Sequence, residues 1–338
     1  MSADRSDVTV ATVTYGDRAS VCIRVVEAAL VAGAARAVVV DNGSSPASAD
    51  ALEAWAARRP DVELVRLESN EGSASGFRTA IGRAAALDTD RVWLLDDDNL
   101  PRAETLAIAL DVAGRGPDVV VACFRTADEM QAALLRGAAV EDTLSVRGSF
   151  NGVDLLRRLR PTRPQPEKAA RDVVEVPWAP YGGLLLPVEA TRSVAPPLVE
   201  FVLYGDDRDY SERLRASGFR ILLVGAAPVD DLVDRWGGDA AEAAPRSHLA
   251  AMIASGDRRR AFYLIRNSAF DDLRRAKRDR AVGRMLVNAM VFVSYSAFVA
   301  FRAGRPRFAG LVATAAFEGV RGRWYPKSAA VTTTRASA

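Results

Sequence analysis

One stretch decides the fold class: Val92–Asn99, with the sequence VWLLDDDN. Its first four residues are all apolar, which is typical of a strand buried on both faces of a sheet. Similar short runs recur along the chain at Val8–Val13, Ala37–Val40, Val62–Leu67 and Val119–Cys123. Alanine-rich stretches with a helical pattern separate them. This alternation predicts an α/β domain in which helices flank a mostly parallel central sheet.

Further along, the pattern predicts a strand over Tyr181–Leu186, a helix over Asp209–Ala216 and a strand over Ile221–Val224. After about residue 245 the pattern becomes purely helical, with helices predicted over Arg259–Lys277, Val282–Phe301 and Arg307–Val320. The sequence therefore predicts a helical C-terminal extension behind the α/β domain.

The 338-residue chain has an ordinary globular composition, with 49% hydrophobic and 26% charged residues, which excludes a disordered protein. Cys22 and Cys123 are its only cysteines, and His248 is its one histidine. With so few cysteines and histidines, we expect neither a Cys/His zinc site nor a disulfide framework. The first ten residues lack a basic segment followed by an apolar one, so we expect a cytoplasmic protein.

Charge is unevenly distributed along the chain. Residues 258–338 hold 17 basic and four acidic residues, whereas residues 1–257 hold 28 basic and 39 acidic ones. A basic region on an acidic body indicates an anionic partner, either nucleic acid or the surface of a membrane. Nucleic acid is disfavoured because the aromatic residues of this region lie within apolar helices rather than between exposed arginines.

Met285–Phe301 is a run of 17 residues without a formal charge, and the basic residues 274–280 precede it. It is short for a membrane span of about 20 residues. A helix lying at the membrane interface and a core helix with a basic solvated face both remain open. We predict peripheral membrane contact through residues 274–301.

The carboxylates of Asp96, Asp97 and Asp98 follow a predicted strand directly, at the end where open α/β sheets bind ligands. Three adjacent carboxylates repel one another, and a divalent cation such as Mg²⁺ or Mn²⁺ relieves that repulsion and can bridge a diphosphate. A solvated turn or a helix cap is the alternative interpretation of the same triplet.

Two other loops follow predicted strands. Asp41 closes the second strand, where its carboxylate can accept a hydrogen bond from a nucleobase or a ribose hydroxyl. Residues 70–76 (NEGSASG) follow the third strand, and their glycines allow a close approach of the backbone to a ligand. A plain turn is the alternative for each. The chain has no Walker A motif and no complete G-x-G-x-x-G.

Taken together, these segments resemble the family 2 glycosyltransferases of the GT-A fold. The motifs occur in the family's order: residues 10–15 (VATVTY), 40–45 (VDNGSS), 70–72 (NEG) and 95–98 (LDDD). The resemblance implies that Asp41 contacts the base of a nucleotide, and that Asp96 and Asp98 serve the ribose and the metal on the diphosphate. The implied donor-binding residues are Thr14, Tyr15, Asp41, Asn70, Gly72, Arg78, Asp96 and Asp97.

The second half resembles bacterial galactofuranosyltransferases and rhamnosyltransferase-like enzymes. The matching segments are Leu203–Tyr210 (LYGDDRDY) and the Y-x-x-R-N element Tyr263–Asn267 (YLIRN). The resemblance implies that Asp207 is the general base, and that the acceptor contacts Trp178, Tyr181, Gly182 and Asp206. Capping of the following helix by the two aspartates and ordinary packing of the tryptophan are the alternatives.

The sequence departs from these relatives at one metal ligand. They have a histidine after the strand that follows the base, whereas this chain has Asp230 and Asp231 there. Aspartate can replace imidazole as a hard oxygen ligand for Mg²⁺ or Mn²⁺. The expected metal ligands are Asp96, Asp98, Asp230 and Asp231.

The resemblance implies an inverting, metal-dependent glycosyltransferase with a catalytic domain over residues 1–240 and a basic helical region over residues 241–338. Its expected donor is a UDP- or dTDP-linked sugar of the galactofuranose or rhamnose type. The expected acceptor is a glycan or lipid-linked glycan of the cell envelope, reached from the inner face of the plasma membrane. A homo-oligomer is compatible with the sequence. The alternative is a catalytically silent nucleotide-sugar-binding subunit or membrane scaffold with the same fold.

Overall fold

The computed structural model describes residues 7–144, 146–159, 169–232 and 256–326. His248 and the predicted boundary near residue 240 lie outside these ranges.

A central sheet holds the nine strands that these ranges contain. In chain order they are β1 (Val8–Gly16), β2 (Arg36–Ser44), β3 (Val62–Leu67), β4 (Arg91–Asp96), β5 (Asn99–Pro101), β6 (Val119–Arg125), β7 (Val173–Val176), β8 (Leu184–Pro187) and β9 (Arg220–Asp231). The order across the sheet is β3-β2-β1-β4-β8-β6-β9-β5, and β7 also pairs with β9. Strands β3, β2, β1 and β4 are parallel, and so are β6 and β9, whereas β8 runs antiparallel between β4 and β6. All five strands predicted for the first half of the chain are confirmed.

Helices cover both faces of the sheet. They are α1 (Ala19–Val31), α2 (Pro46–Ala56), α3 (Ser73–Ala85), α4 (Thr105–Ala113), α5 (Glu129–Leu135), α6 (Val140–Thr143), α7 (Leu155–Leu159), α8 (Val188–Ser193) and α9 (Asp206–Ala216). On one face, α1, α2 and α4 bury Val25, Leu52 and Leu106 in one apolar cluster. On the other, α3 and α9 bury Phe77 and Leu214 in a second cluster. The predicted architecture of a mostly parallel sheet flanked by helices is confirmed.

The parallel register brings the motif residues to one edge of the sheet. Asp96 at the end of β4 pairs with Val13 of β1, and Asp41 of β2 pairs with Thr14 of β1. Because parallel strands end at the same edge, segments far apart in sequence converge there.

Several elements differ from their predicted bounds. The strand predicted over Ile221–Val224 extends over Arg220–Asp231 because its last three residues pair with β5, so Asp230 and Asp231 lie within β9 and not after it. The strand expected from Tyr181 begins at Leu184, because Gly183 takes a φ of +94° and the three residues before the strand form a loop. The helix expected from Asp209 begins at Asp206. The carboxylates of its first turn suit the positive end of the helix dipole, so this acidic segment is stable as helix.

Three helices lie within the described residues 256–326: α10 (Arg258–Arg278), α11 (Val282–Arg302) and α12 (Pro306–Arg321). They share an apolar cluster of their own, to which Phe150 of the body contributes. The basic run before α11 is partly turned inward, because Arg274 Nη1 donates to Asp209 at 3.0 Å and Arg275 pairs with the buried Asp272. Only Lys277, Arg278 and Arg280 of that run are exposed.

Candidate active site

Asp97, the middle carboxylate after β4, is buried. Its Oδ2 accepts hydrogen bonds from the Thr14 hydroxyl at 2.7 Å and from Arg18 Nε at 2.8 Å. Arg18 Nη2 donates to Asp97 Oδ1 at 2.7 Å and to Asp98 Oδ2 at 2.9 Å. Burial raises the pKa of Asp97 to about 6, although Arg18 favours its ionised form. These contacts fasten β4 to β1, so Asp96 and Asp98 are the members of the triplet best placed to bind a ligand.

Asp96 shares an arginine with Asp231. Arg125, with a side chain 1% exposed, lies 3.5 Å from Asp96 Oδ2 through Nη1 and donates to Asp231 Oδ1 through Nη2. Asn99 Nδ2 donates to the same Asp231 oxygen at 2.6 Å. Burial raises the pKa of Asp96 to about 6, and Arg125 opposes that rise. Asp231 therefore reaches the triplet that follows β4.

Asp230 faces a different set of partners, as expected for neighbouring residues of one strand. Its two carboxylate oxygens accept from Arg102 at 3.0 Å each, and the Thr126 hydroxyl donates to Oδ1 at 2.8 Å. The hydrogen bond from Arg102 is the largest cause that lowers the pKa of Asp230. Of the two aspartates in the place of the histidine, Asp231 is the one beside Asp96.

The oxygens around Asp96 fit a divalent cation. A Cβ built on Gly182 would lie 1.9 Å from Asn99 Oδ1 and 3.0 Å from Asp96 Oδ2, so both oxygens border this glycine. Asn99 Oδ1 is buried and has no hydrogen-bond partner in the described structure. Among the described residues, no three His, Cys, Asp or Glu side chains converge on one point. Asp96, Asp98 and Asn99 thus offer an incomplete set of hard oxygens, which suits Mg²⁺ or Mn²⁺ completed by substrate oxygens.

Asp41 lies buried at the end of β2. Its Oδ1 accepts from the Ser44 backbone N–H at 2.8 Å, and Arg66 Nε lies 3.8 Å from its Oδ2. The first contact fixes Asp41 to the last residue of β2, and the second oxygen lies near Arg66 of the neighbouring strand β3.

The loop over residues 70–72 is tied to β2 and to the segment before α9. Asn42 Nδ2 donates to the Gly72 carbonyl at 3.0 Å, and Asn70 Oδ1 accepts from the Gly72 N–H at 3.0 Å. Gly72 has a φ of +94°, and a Cβ on it would lie 2.2 Å from the Val202 carbonyl oxygen. Only glycine allows this contact, which places the predicted donor loop against the predicted acceptor segment.

Tyr15 and Arg78, the other predicted donor contacts, lie at the surface. The Tyr15 hydroxyl accepts from Arg260 Nη2 of α10 at 3.1 Å. Arg78 is exposed on α3 and its Nη1 donates to the Pro197 carbonyl at 3.4 Å. The first contact brings the C-terminal helices to the edge of the site.

Asp206 and Asp207 open α9 after Gly205, which adopts a left-handed conformation with a φ of +81°. Asp206 is 3% exposed, and its Oδ1 accepts from the Ser73 hydroxyl at 3.2 Å. Asp207 is half-buried, and its Oδ1 accepts from the Arg208 backbone N–H at 2.7 Å. In the described structure neither carboxylate forms an ion pair, which sets them apart from those after β4.

Burial is the largest cause that raises the pKa of both Asp206 and Asp207. The charge of Asp207 raises the pKa of Asp206 further, and the charge of Asp96 raises that of Asp207. Asp96 and Asp207 are therefore close enough to act on each other, although 111 residues separate them in the chain.

The Y-x-x-R-N element of α10 holds the segment that leads to these aspartates. Val202 and Tyr204 have φ values of 63° and 64°, which are unfavourable for residues with a Cβ. Asn267 Nδ2 donates to the carbonyls of residues 201, 203 and 204 at 2.7–3.0 Å. Arg266 Nη2 donates to those of residues 200 and 201 at 2.6 and 3.2 Å. These bonds offset the cost of the strained turn and fix the start of α9.

The predicted acceptor residues surround Asp206 and Asp207. The Arg208 guanidinium lies 4.8 Å from the centre of the Trp178 ring. Tyr181 is buried, its hydroxyl has no partner in the described structure, and burial together with the nearby aspartates raises its pKa. Gly182 lies beside Asp96, as described above. Trp178 is half-buried and keeps part of its ring available, whereas Tyr181 packs inside.

The first half of the chain matches a known family model. Residues 9–164 match the family model "Glycosyl transferase family 2". No curated protein sequence gave a significant match to the chain.

Two solved glycosyltransferases are similar in structure. A mannosyltransferase from Pyrobaculum calidifontis, in complex with GDP-Man and Mn²⁺, has 16% identity and a TM-score of 0.54, and the match covers 96% of this chain and 88% of that one. GalNAc-T7 with UDP, GalNAc and Mn²⁺ has 14% identity and a TM-score of 0.52, covering 79% of this chain and 51% of that one. At these identities the likeness shows the fold, and the predicted GT-A fold is confirmed.

Sequence reasoning missed several residues of this candidate site. Arg18 and Arg125 pair with its carboxylates, and Asn99 contributes the buried oxygen beside Asp96. Asn99 directly follows the acidic triplet, so its position was a usable signal. The arginines lie in segments distant from that triplet and follow no pattern, so only the fold shows their role.

Proposed function

We propose that this family 2 glycosyltransferase transfers a sugar, with inversion and with a divalent cation, from a nucleoside diphosphate to a hydroxyl of a glycan. The observation that carries the proposal is the position of Asp207. This carboxylate forms no ion pair in the described structure, has a raised pKa and lies within electrostatic reach of Asp96. A base opposite a diphosphate site is the arrangement that direct displacement at an anomeric carbon needs.

The donor end of the site comprises Asp41, the loop over residues 70–72 and the triplet after β4. A nucleoside would lie along the ends of β1 and β2, and the diphosphate would lie toward Asp96 and Asp98. Two observations from other proteins support this assignment: the similar mannosyltransferase carries GDP-Man with Mn²⁺, and GalNAc-T7 carries UDP with Mn²⁺. Thr14 and Asp97 would act here through the Arg18 contacts that orient the triplet.

Asp96 and Asp98 would hold the cation, with the Asn99 amide oxygen beside them and Asp231 as the nearer of the two candidate additional ligands. When bound, Mn²⁺ or Mg²⁺ offsets the negative charge that develops on the departing nucleoside diphosphate. The buried Arg125 keeps Asp96 and Asp231 close despite their like charges.

The acceptor end comprises Asp206, Asp207 and Trp178, with Tyr181 packed behind them. Asp207 would take the proton of the acceptor hydroxyl as the glycosidic bond forms. A raised pKa makes a carboxylate a stronger base, and it stays ionised near neutral pH as long as that pKa lies below the working pH. The ring of Trp178 offers a flat apolar surface that suits one face of a sugar.

The sugar and acceptor assignments rest on Leu203–Tyr210 and its resemblance to galactofuranosyl- and rhamnosyltransferases. We assign a UDP- or dTDP-linked galactofuranose or rhamnose as donor, and a glycan or lipid-linked glycan of the cell envelope as acceptor. A lipid-linked acceptor would place the protein at the inner face of the plasma membrane as a peripheral protein.

A donor screen tests the proposal. Purified full-length chain is incubated with UDP- and dTDP-sugars, and with GDP-mannose, in the presence of Mn²⁺ or Mg²⁺, and release of the nucleoside diphosphate is measured. We expect release from one sugar class, and its loss in Asp207→Asn. Binding of a sugar nucleotide without release under any acceptor condition would favour the silent binding subunit.

A further inference from the structure

The longest apolar helix of the chain leaves one face uncovered. Along α11, six large hydrophobic side chains are 44–66% exposed, and five of them, all but Tyr295, lie on one face. At about 100° per residue they fall within an arc of roughly 120°. They are Leu286, Val287, Met290, Phe298 and Phe301. Half of the exposed large apolar side chains among the described residues lie on α11 and α12, so this face is a concentrated apolar patch.

The opposite face of α11 packs against α10, α12 and Phe150 of the body along nearly its whole length. Its buried row runs from Met285 to Ala300. Asn288 accepts from the Leu155 N–H at 2.9 Å and donates to the Gly148 carbonyl at 2.7 Å. The composition of α11 would allow a membrane span. However, a helix attached along its length presents one face only, so it can lie in a membrane surface without crossing it.

Basic residues lie at both ends of this face. Residues 282–317 contain no Asp or Glu. At one end Lys277, Arg278 and Arg280 are exposed, and at the other Arg302, Arg305 and Arg307. Two copies paired through this face about a twofold axis would bring basic ends together, whether the helices ran parallel or antiparallel. An anionic partner, in contrast, is compatible with both the apolar face and its two basic ends.

A cavity of about 390 Å³ lies beyond the Phe301 end of the face. Its lining includes Arg258, Arg305 and Arg307, from the starts of α10 and α12, together with two glycines. The first turn of α12 has no acidic residue, although the helix dipole favours one there, whereas Asp257 caps α10 and accepts from the Arg260 N–H at 2.9 Å. In the described structure Arg258 and Arg307 form no ion pair. This combination of cavity and positive charge suits a phosphate group.

We propose that the exposed face of α11 docks on a bilayer of anionic phospholipids, with a headgroup phosphate in the arginine-lined cavity. This proposal rests on the proposed function, because docking on a membrane serves an enzyme whose acceptor is lipid-linked. Arg260, two residues after Arg258 of the cavity wall, donates to Tyr15 at the edge of the donor end. Docking therefore brings the mouth of the site to the membrane surface, where such an acceptor is held.

Co-sedimentation of the full chain with vesicles tests the proposal. The vesicles are phosphatidylcholine with and without phosphatidylglycerol, each at low and high salt. We expect binding that requires phosphatidylglycerol and weakens as salt rises, because screening shortens the reach of charge to about 8–10 Å near physiological ionic strength. Equal binding to both vesicles, or none, would overturn the proposal.

Paired variants locate the surface. Phe298→Asp with Phe301→Asp should abolish binding, and Arg305→Glu with Arg307→Glu should weaken it by about tenfold or more. The matched controls Val31→Asp and Arg24→Glu change exposed residues of α1 and should bind like the parent. A solution dimer that Phe298→Asp converts to a monomer would assign the face to a second copy and overturn the proposal. Vesicle binding needs no turnover, so its failure is distinct from a failure of nucleoside diphosphate release.

Discussion

At the donor end of the site the aspartates after β4 and Asp231 lie beside arginines, whereas the two aspartates of the acceptor end form no ion pair in the described structure. Arg18 and Arg125 compensate the charges after β4. Asp206 and Asp207 receive hydrogen bonds only from neutral groups, and burial raises the pKa of both. Burial raises the pKa of Asp96 and Asp97 as well, so what distinguishes the two ends is the presence or absence of an arginine partner and not the direction of the pKa shift. The two ends of one site are thus prepared for different tasks.

The largest expected effect concerns the uncompensated end. Asp207→Asn keeps the oxygen that accepts from the Arg208 N–H but removes the basicity, so turnover should fall by roughly 10²–10⁴ while donor affinity stays within a few-fold. Steady-state kinetics and calorimetric titration of the donor measure the two quantities. Asp206→Asn is the matched control and should retain far more activity. A loss of turnover in Asp207→Asn below about threefold would move the base elsewhere, with Asp206 as the first alternative.

The next effect concerns the compensated end. Asp98→Asn should lower turnover by roughly 10²–10³ because a neutral amide binds a divalent cation poorly and leaves the diphosphate charge uncompensated. Chelation of the parent protein with EDTA should mimic the variant, and added Mn²⁺ should restore the parent. Asp90→Asn, at the exposed opposite end of β4, is the control. Full activity in excess EDTA would contradict the assignment of a metal to this end.

The two aspartates at the end of β9 differ in their arginine partners. Asp231 shares Arg125 with Asp96, whereas Asp230 pairs with Arg102. We therefore expect Asp231→Asn to weaken cation affinity about 10- to 100-fold, as loss of a ligand or of its supporting contacts typically does, and Asp230→Asn to leave it nearly unchanged. Titration of Mn²⁺ in the presence of nucleoside diphosphate measures both. Equal effects of the two variants would contradict the assignment of Asp231, and not Asp230, to the cation site.

The fold was predictable because each parallel strand carries its own uninterrupted apolar signal, and the motif loops follow from where those strands end. A strand was predicted where β8 lies, but its antiparallel direction was not, since its short run, LLLP, gives no direction. At the site, Asp96, Asp98 and Asp207 were found as motif residues. The counter-charges Arg18 and Arg125 were not, because an ion pair across a sheet depends on strand order, which the sequence alone leaves open.

The smallest expected effect is on stability. Because burial raises the pKa of Asp206 in the folded state, its contribution to the free energy of unfolding falls as pH rises from about 4 upward. Asp206→Asn should therefore raise that free energy by on the order of 1–3 kcal/mol at pH 8 and by little at pH 4. The new amide can also donate to the Tyr181 hydroxyl, which has no partner in the described structure. Urea denaturation at the two pH values measures the difference. If Asp206→Asn is less stable than the parent at pH 8, burial of the ionised Asp206 carboxylate does not destabilise the fold.

The anomeric configuration of the product tests the central claim most directly. If the donor end only binds and Asp207 alone takes the proton, the acceptor hydroxyl displaces the nucleoside diphosphate in one step. The anomeric configuration of the sugar is then inverted relative to the donor. NMR coupling constants of the anomeric proton, recorded in the first minutes of the reaction, distinguish the two products. We predict the inverted anomer from the parent chain. A retained configuration would require a covalent or equivalent second displacement and would contradict the division of tasks between the two ends of the site.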